Sequence, residues 1–90
     1  MKKLAVKYTP AFLRKLDKLE PGLQEEAIYK IKLFADKKNH EILKVHKLKG
    51  RLDNCYSFSV NYKTRIVFSY SSKSKNEAIL LAIGDHDIYS

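Results

Sequence analysis

Residues 55–70 read CYSFSVNYKTRIVFSY, and their alternation decides the fold. Tyr56, Phe58 and Val60 fall on one side of an extended chain, with Cys55, Ser57, Ser59 and Asn61 on the other. Beyond a turn at Tyr62–Thr64, Ile66, Phe68 and Tyr70 share a side, and Arg65, Val67 and Ser69 take the opposite one. A period of two in the apolar residues marks strands that put one face into a core. Two antiparallel strands are therefore predicted, apolar on one face and small and polar on the other, with a single arginine in the polar face. Pairing across the turn brings Ser59 and Arg65 together.

Upstream, the chain is strongly basic. Lys37, Lys38, Lys44, Lys47, Lys49 and Arg51 stand with His40 and His46 against one acid, Glu41. Before this run come two helical patterns. Thr9-Pro10 is a start signal, a capping hydroxyl followed by proline at the first helical position. Phe12, Leu13, Leu16 and Leu19 then make a short apolar stripe that Glu20-Pro21-Gly22 breaks. A longer helix is predicted from about Leu23 to Asp36, burying Leu23, Ala27, Ile28, Ile31, Phe34 and Ala35. Leu4 to Tyr8 alternates as a short first strand. Downstream, Ser71 to Asn76 is a polar turn. Glu77 to Ile83 is a last strand whose unbroken apolar run predicts burial on both faces, and Gly84 ends it. The order is β-α-α followed by a β-meander. This is an α+β fold in which an antiparallel sheet carries an N-terminal two-helix hairpin on one face, as a single domain over residues 1–90.

Eighteen Lys and Arg against ten Asp and Glu leave a formal charge of +8, which attracts polyanions: nucleic acid, anionic membrane or an acidic protein. Ala78 to Ile83, the longest apolar run, is too short to span a bilayer, and the N-terminus lacks the apolar stretch of a signal peptide. The single Cys55 cannot form an internal disulfide and fits a reducing cytoplasm. The three histidines lack short ligand spacing, so neither a metal nor a small-molecule cofactor is expected.

If the helices cover the face bearing Tyr56, Phe58, Val60, Ile66 and Phe68, then Ser57, Ser59 and Arg65 line the other. Lys47, Lys49, Arg65 and His86 can then converge on one concavity. It would offer fixed cations for phosphate, an imidazole that transfers protons near neutral pH and Tyr89 as a stacking platform. Those are the parts RNA cleavage needs. A base takes the 2′-hydroxyl proton, the oxygen attacks phosphorus, cations hold the crowded phosphate, and an acid protonates the departing 5′-oxygen. Each residue also has a plainer account: Arg65 as a solvated charge or ion-pair partner, His86 as surface, His46 as structural, and the lysines as a solvated face. Ser57 and Ser59 let a ligand approach closely rather than act as nucleophiles, since no Ser–His–Asp order is visible.

The sequence resembles the RelE/ParE superfamily of toxins from type II toxin–antitoxin systems. The resemblance is carried by His-Lys-Leu-Lys-Gly at 46–50, the Tyr…Tyr-Lys-Thr-Arg-Ile-Val-Phe stretch at 56–68 and Ile-Gly-Asp-His-Asp-Ile-Tyr at 83–89. It implies a ribosome-dependent mRNA endonuclease that acts without metal and is neutralised by a cognate antitoxin, with the ribosome and mRNA as its other partners. By position, Arg65 matches the arginine that contacts the scissile phosphate in the RelE branch. His86 and His46 match active-site histidines of the YafQ branch, and Tyr89 matches the terminal aromatic of both. Ser57 and Ser59 stand where the RelE branch has two lysines, and Val60 and Thr64 where the YafQ branch has a histidine and an aspartate. The resemblance leaves Lys47, Lys49, Arg51 and Lys63 to supply cations to RNA. The ParE branch shares the fold but inhibits DNA gyrase, and a catalytically inert member that binds antitoxin or nucleic acid is a further alternative.

Overall fold

The computed structural model describes residues 3–50 and 54–85. The elements run β1 (Ala5–Tyr8), α1 (Pro10–Asp17), α2 (Pro21–Phe34), a 3₁₀ turn (Lys37–Asn39), β2 (His46–Lys47), β3 (Tyr56–Ser59), β4 (Arg65–Ser71) and β5 (Ser74–Gly84). The α+β architecture expected from the sequence is the one observed.

Both helices start where local chemistry dictates. Thr9 Oγ1 accepts from the Phe12 amide (3.1 Å) and donates to the Leu80 carbonyl (3.0 Å), so one hydroxyl caps α1 and ties it to β5. Glu20 Oε1 accepts from the Leu23 amide, with Pro21 as the first helical residue. The Glu-Pro-Gly break therefore also starts the next helix, because proline at that position sacrifices no intrahelical hydrogen bond. As a result α2 begins two residues before the expected Leu23 and ends at Phe34. Ala27, Ile31 and Phe34 form its buried stripe, with Leu23 partly buried. Ile28, expected inside, is 40% exposed, since it sits one residue, about 100°, around the helix from Ala27.

The five strands lie in the order β1-β5-β4-β3-β2. Neighbours from β5 to β2 are antiparallel, but β1 pairs parallel with β5, Ala5 opposite Glu77 and Tyr8 opposite Leu80. The expected antiparallel sheet is present across four strands, and β1 adds to it in parallel at one edge. The polar turn is also shorter than predicted: Ser72 and Lys73 alone separate the Ser71–Ser74 pair, and β5 starts at Ser74. β5 is not buried on both faces. Ala78, Leu80 and Ile83 are buried, whereas Ile79, Leu81 and Ala82 are half-buried. A register shift sets Val67 opposite Ala82 but Phe68 opposite Leu80, so Leu81 is an extra residue and the inward positions change parity there. That bulge explains how an unbroken apolar run can serve one face.

The core lies between helices and sheet. Phe34 of α2 stacks on Phe58 (4.2 Å between centroids, 9°) and meets Phe68 edge-on (4.7 Å, 62°). All three phenylalanines are fully buried, and each contributes about 1.5–3 kcal/mol by burial. On Phe34's other side lies the His40 ring (4.9 Å, 8°), whose Nε2 donates to the Phe34 carbonyl and so caps the end of α2.

Candidate active site

Arg65 is the first residue of β4, and the turn before it is built to hold it. Asn61 Oδ1 accepts from the amides of Lys63 (2.9 Å) and Thr64 (2.8 Å), a local turn that asparagine favours. The Val60 amide closes onto the Thr64 carbonyl (2.9 Å). Two side chains of α2 reach across to this turn. Lys30 Nζ donates to the Val60 carbonyl (2.8 Å), and Glu26 Oε1 accepts from Asn61 Nδ2 (2.9 Å). Arg65 Nη1 then donates to the Asn61 carbonyl (2.7 Å). A guanidinium carries five N–H donors in a rigid fork. Anchoring by Nη1 fixes the plane of that fork and suits its remaining edge to a phosphate.

The neighbours of Arg65 are small. Its register partners are Ser59 on β3 and Gly84 on β5, and paired positions share a face. The expected Ser59–Arg65 juxtaposition is therefore present. One step along the same face lies the row His46, Ser57, Val67 and Ala82. His46 is exposed, and its Nδ1 donates to the Lys44 carbonyl (2.9 Å). That bond fixes the neutral tautomer with hydrogen on Nδ1, leaving Nε2 as a proton acceptor. Lys44 adopts φ 58°, a left-handed conformation rare outside glycine and asparagine, and it turns this carbonyl toward the ring. Across two strand spacings and a two-residue offset, the backbones of His46 and Arg65 are about 12 Å apart.

Not every predicted site residue joins them. Ser57 has the right parity but is fully buried, so its hydroxyl does not line a ligand surface. The face away from the helices is covered at Ser57 and Val67, half-open at Ser59, Arg65, Ala82 and Gly84, and open at His46. Lys47 pairs with Tyr56, which pairs with Phe68, so it lies on the opposite face from Arg65. Lys49 is exposed beyond β2, outside the strand that would aim it at Arg65. Lys63 is exposed within the turn, two residues from Arg65. Arg51, His86 and Tyr89 lie outside the described residues. Gly84, two residues before His86, is the register partner of Arg65.

Lys30, Glu26 and Asn61 had no place in the sequence-derived site, although they position Arg65. Asn61-Tyr-Lys-Thr is a legible turn signal, but no pattern in α2 announces that Lys30 reaches a carbonyl thirty residues on. Tyr62 is 89% exposed at the turn tip.

No protein-family model matches the sequence, and no curated protein matches it. Solved structures do. The chain is similar to the RelBE2 toxin–antitoxin complex of Mycobacterium tuberculosis (TM-score 0.69, 19% identity, covering 93% of this chain and 99% of that one). It is similar to the archaeal RelE–RelB complex of Pyrococcus horikoshii OT3 (TM-score 0.70, 18% identity, 92% and 94% covered). It is also similar to YafQ of E. coli BL21(DE3) (TM-score 0.74, 11% identity, 96% and 97% covered). At these identities the likeness is one of fold: the chain has the RelE-like fold.

Proposed function

We propose that this RelE-fold chain is the toxin of a type II toxin–antitoxin pair and that it cleaves ribosome-bound mRNA by 2′-hydroxyl attack without a metal. The observation that carries this reading is Arg65, held by Asn61 beside Ser59 and Gly84, on the sheet face that also presents Nε2 of His46. In this mechanism Nε2 of His46 accepts the 2′-hydroxyl proton and the 2′-oxygen bonds to phosphorus. Arg65 neutralises the non-bridging oxygens as their charge rises. The bond to the 5′-oxygen breaks, and His86 donates the proton that oxygen needs, leaving a cyclic phosphate and a 5′-hydroxyl. Tyr89 stacks on a base next to the cleaved bond, and Lys63 contacts the strand. Support for His86 and Tyr89 comes from the register that brings the end of β5 to Arg65. Support for the partner comes from the similar RelE and RelBE2 structures, which are complexes with an antitoxin.

Induced expression without antitoxin should arrest growth, with new RNA 5′ ends inside ribosome-occupied codons. Arg65→Ala should lower cleavage about 10²–10³-fold, as losing one transition-state donor does elsewhere. Growth arrest and cleavage unchanged in both Arg65→Ala and His86→Ala would end the assignment.

One observation favours a second reading, inhibition of DNA gyrase. Ser57 and Ser59 replace cations on the site face, and Ser57 is sealed from solvent. Loss of plasmid supercoiling by purified gyrase at saturating protein, without RNA cleavage, would select it.

A further inference from the structure

At the far end of β4 from Arg65, Ser71 and Ser74 pair across the two-residue turn Ser72-Lys73. Ser71 Oγ accepts from the Lys73 amide (3.1 Å) and Ser74 Oγ accepts from the Asn76 amide (3.0 Å). Each hydroxyl has used a lone pair locally, which leaves its proton to donate outward. Beside them, the Tyr56 and Tyr70 rings meet at 74° with centroids 4.9 Å apart. Tyr56 is backed by Phe68, so the two tyrosines form a fixed aromatic corner. Burial, and then the neighbouring Tyr56, push the Tyr70 phenol above its usual range, so it stays a neutral donor. Lys47 stands opposite Tyr56 in register, and exposed Lys73 and Lys75 of the hairpin line the same hollow. Together these residues line a concavity of about 640 Å³ with no carboxylate among the described residues of its wall. That volume lies within the range of small-molecule sites.

We infer that this cleft binds a nucleotide, with the base against the Tyr56–Tyr70 corner and the phosphate among Lys47, Lys73, Lys75 and the serine hydroxyls. An aromatic face beside fixed cations is how single-stranded nucleic acid is held without sequence preference. The cleft lies five to six residues along β4 from Arg65, about 17–20 Å. A nucleotide bound there does not touch Arg65, so this site and the nuclease reading fail separately. The nucleotide comes either free or as one unit of an RNA strand.

The test uses the full chain and a 2′-deoxy hexanucleotide, which lacks the attacking hydroxyl. Lys73→Glu with Lys75→Glu should weaken its binding by about tenfold or more. Lys15→Glu with Lys32→Glu, the same charge change at exposed helix positions, should weaken it much less. Arg65→Ala should leave the Tyr56 and Tyr70 ring resonances responding to the ligand. In the wild type those resonances should shift with the hexanucleotide, and shifts with uridine 5′-monophosphate as well would name the free nucleotide as a sufficient ligand. Equal losses in the two charge-reversed pairs, or tyrosine resonances that move with neither ligand, would overturn the site. Inorganic phosphate binding as tightly as the mononucleotide would overturn the stacking role of the tyrosines.

Discussion

The two turns that flank β4 are held in opposite ways. The one before it, Asn61–Thr64, is fastened from outside: Lys30 and Glu26 of α2 grip its backbone and its asparagine, and Arg65 bonds back to it. The one after it, Ser72-Lys73, is shaped by serine hydroxyls within two residues of their partners, with an exposed Lys37–Asn76 contact as its link to a distant segment. Long-range clamping suits the role proposed for Arg65, a cation held in place for a transition state. Local, exposed bonds suit a surface that adapts to a flexible strand. The difference teaches that one strand can present a rigid site and a compliant one.

The harshest way to break the comparison is Phe34→Ala. Phe34 supports β3 and β4 together through Phe58 and Phe68, so its loss should cost about 3–5 kcal/mol and disturb both ends. Urea unfolding would measure this, and a cost under 1 kcal/mol would mean that the aromatic stack does not organise the sheet. Lys30→Met is more selective, keeping the aliphatic stem while removing a charged donor from the Val60 carbonyl. A cost of about 1–3 kcal/mol is expected. Amide shifts should concentrate at Asn61–Arg65 and spare Ser71–Lys75, and cleavage should fall further than stability does. Shifts of equal size at both turns would erase the distinction.

The gentlest probe is Tyr70→Phe followed against pH. The Tyr70 phenol is raised by burial and then by Tyr56, so the folded state holds its proton more tightly than the unfolded one. Its contribution is present in full below the ordinary tyrosine value near 10 and is lost as pH climbs through the folded value. Between about pH 9 and 11 the wild type should therefore lose stability more steeply than Tyr70→Phe. Parallel curves from chemical denaturation would show that the phenol is not shielded in the folded chain.

Much of this was legible because it is local. Thr9-Pro10 carries its helix start in two residues, whereas Glu20-Pro21, expected only as a break, also starts α2. The alternation through 56–68 identifies the face that meets the helices, and every residue named for it is in or against the core. The site was legible only in part. Ser59 and Arg65 met as expected because their separation spans one turn. Lys47 was misplaced because the strand containing it is two residues long and joins an edge, too short for alternation to report its face. Ser57 has the right parity, but parity says nothing about what lies above it.

The amino-acid order determined both α-helices and four of the five strands in sequence, a turn at Tyr62–Thr64, the Thr9 cap, and the apolar side of β3 and β4, because each follows from spacing within a few residues. Tertiary structure alone decided that β1 joins β5 in parallel, that Leu81 bulges and turns an apolar run to one face, and that Lys30 grips the Arg65 turn. Those outcomes depend on which distant segments pair and on how much room the helices leave over the sheet, and neither is written in any local pattern.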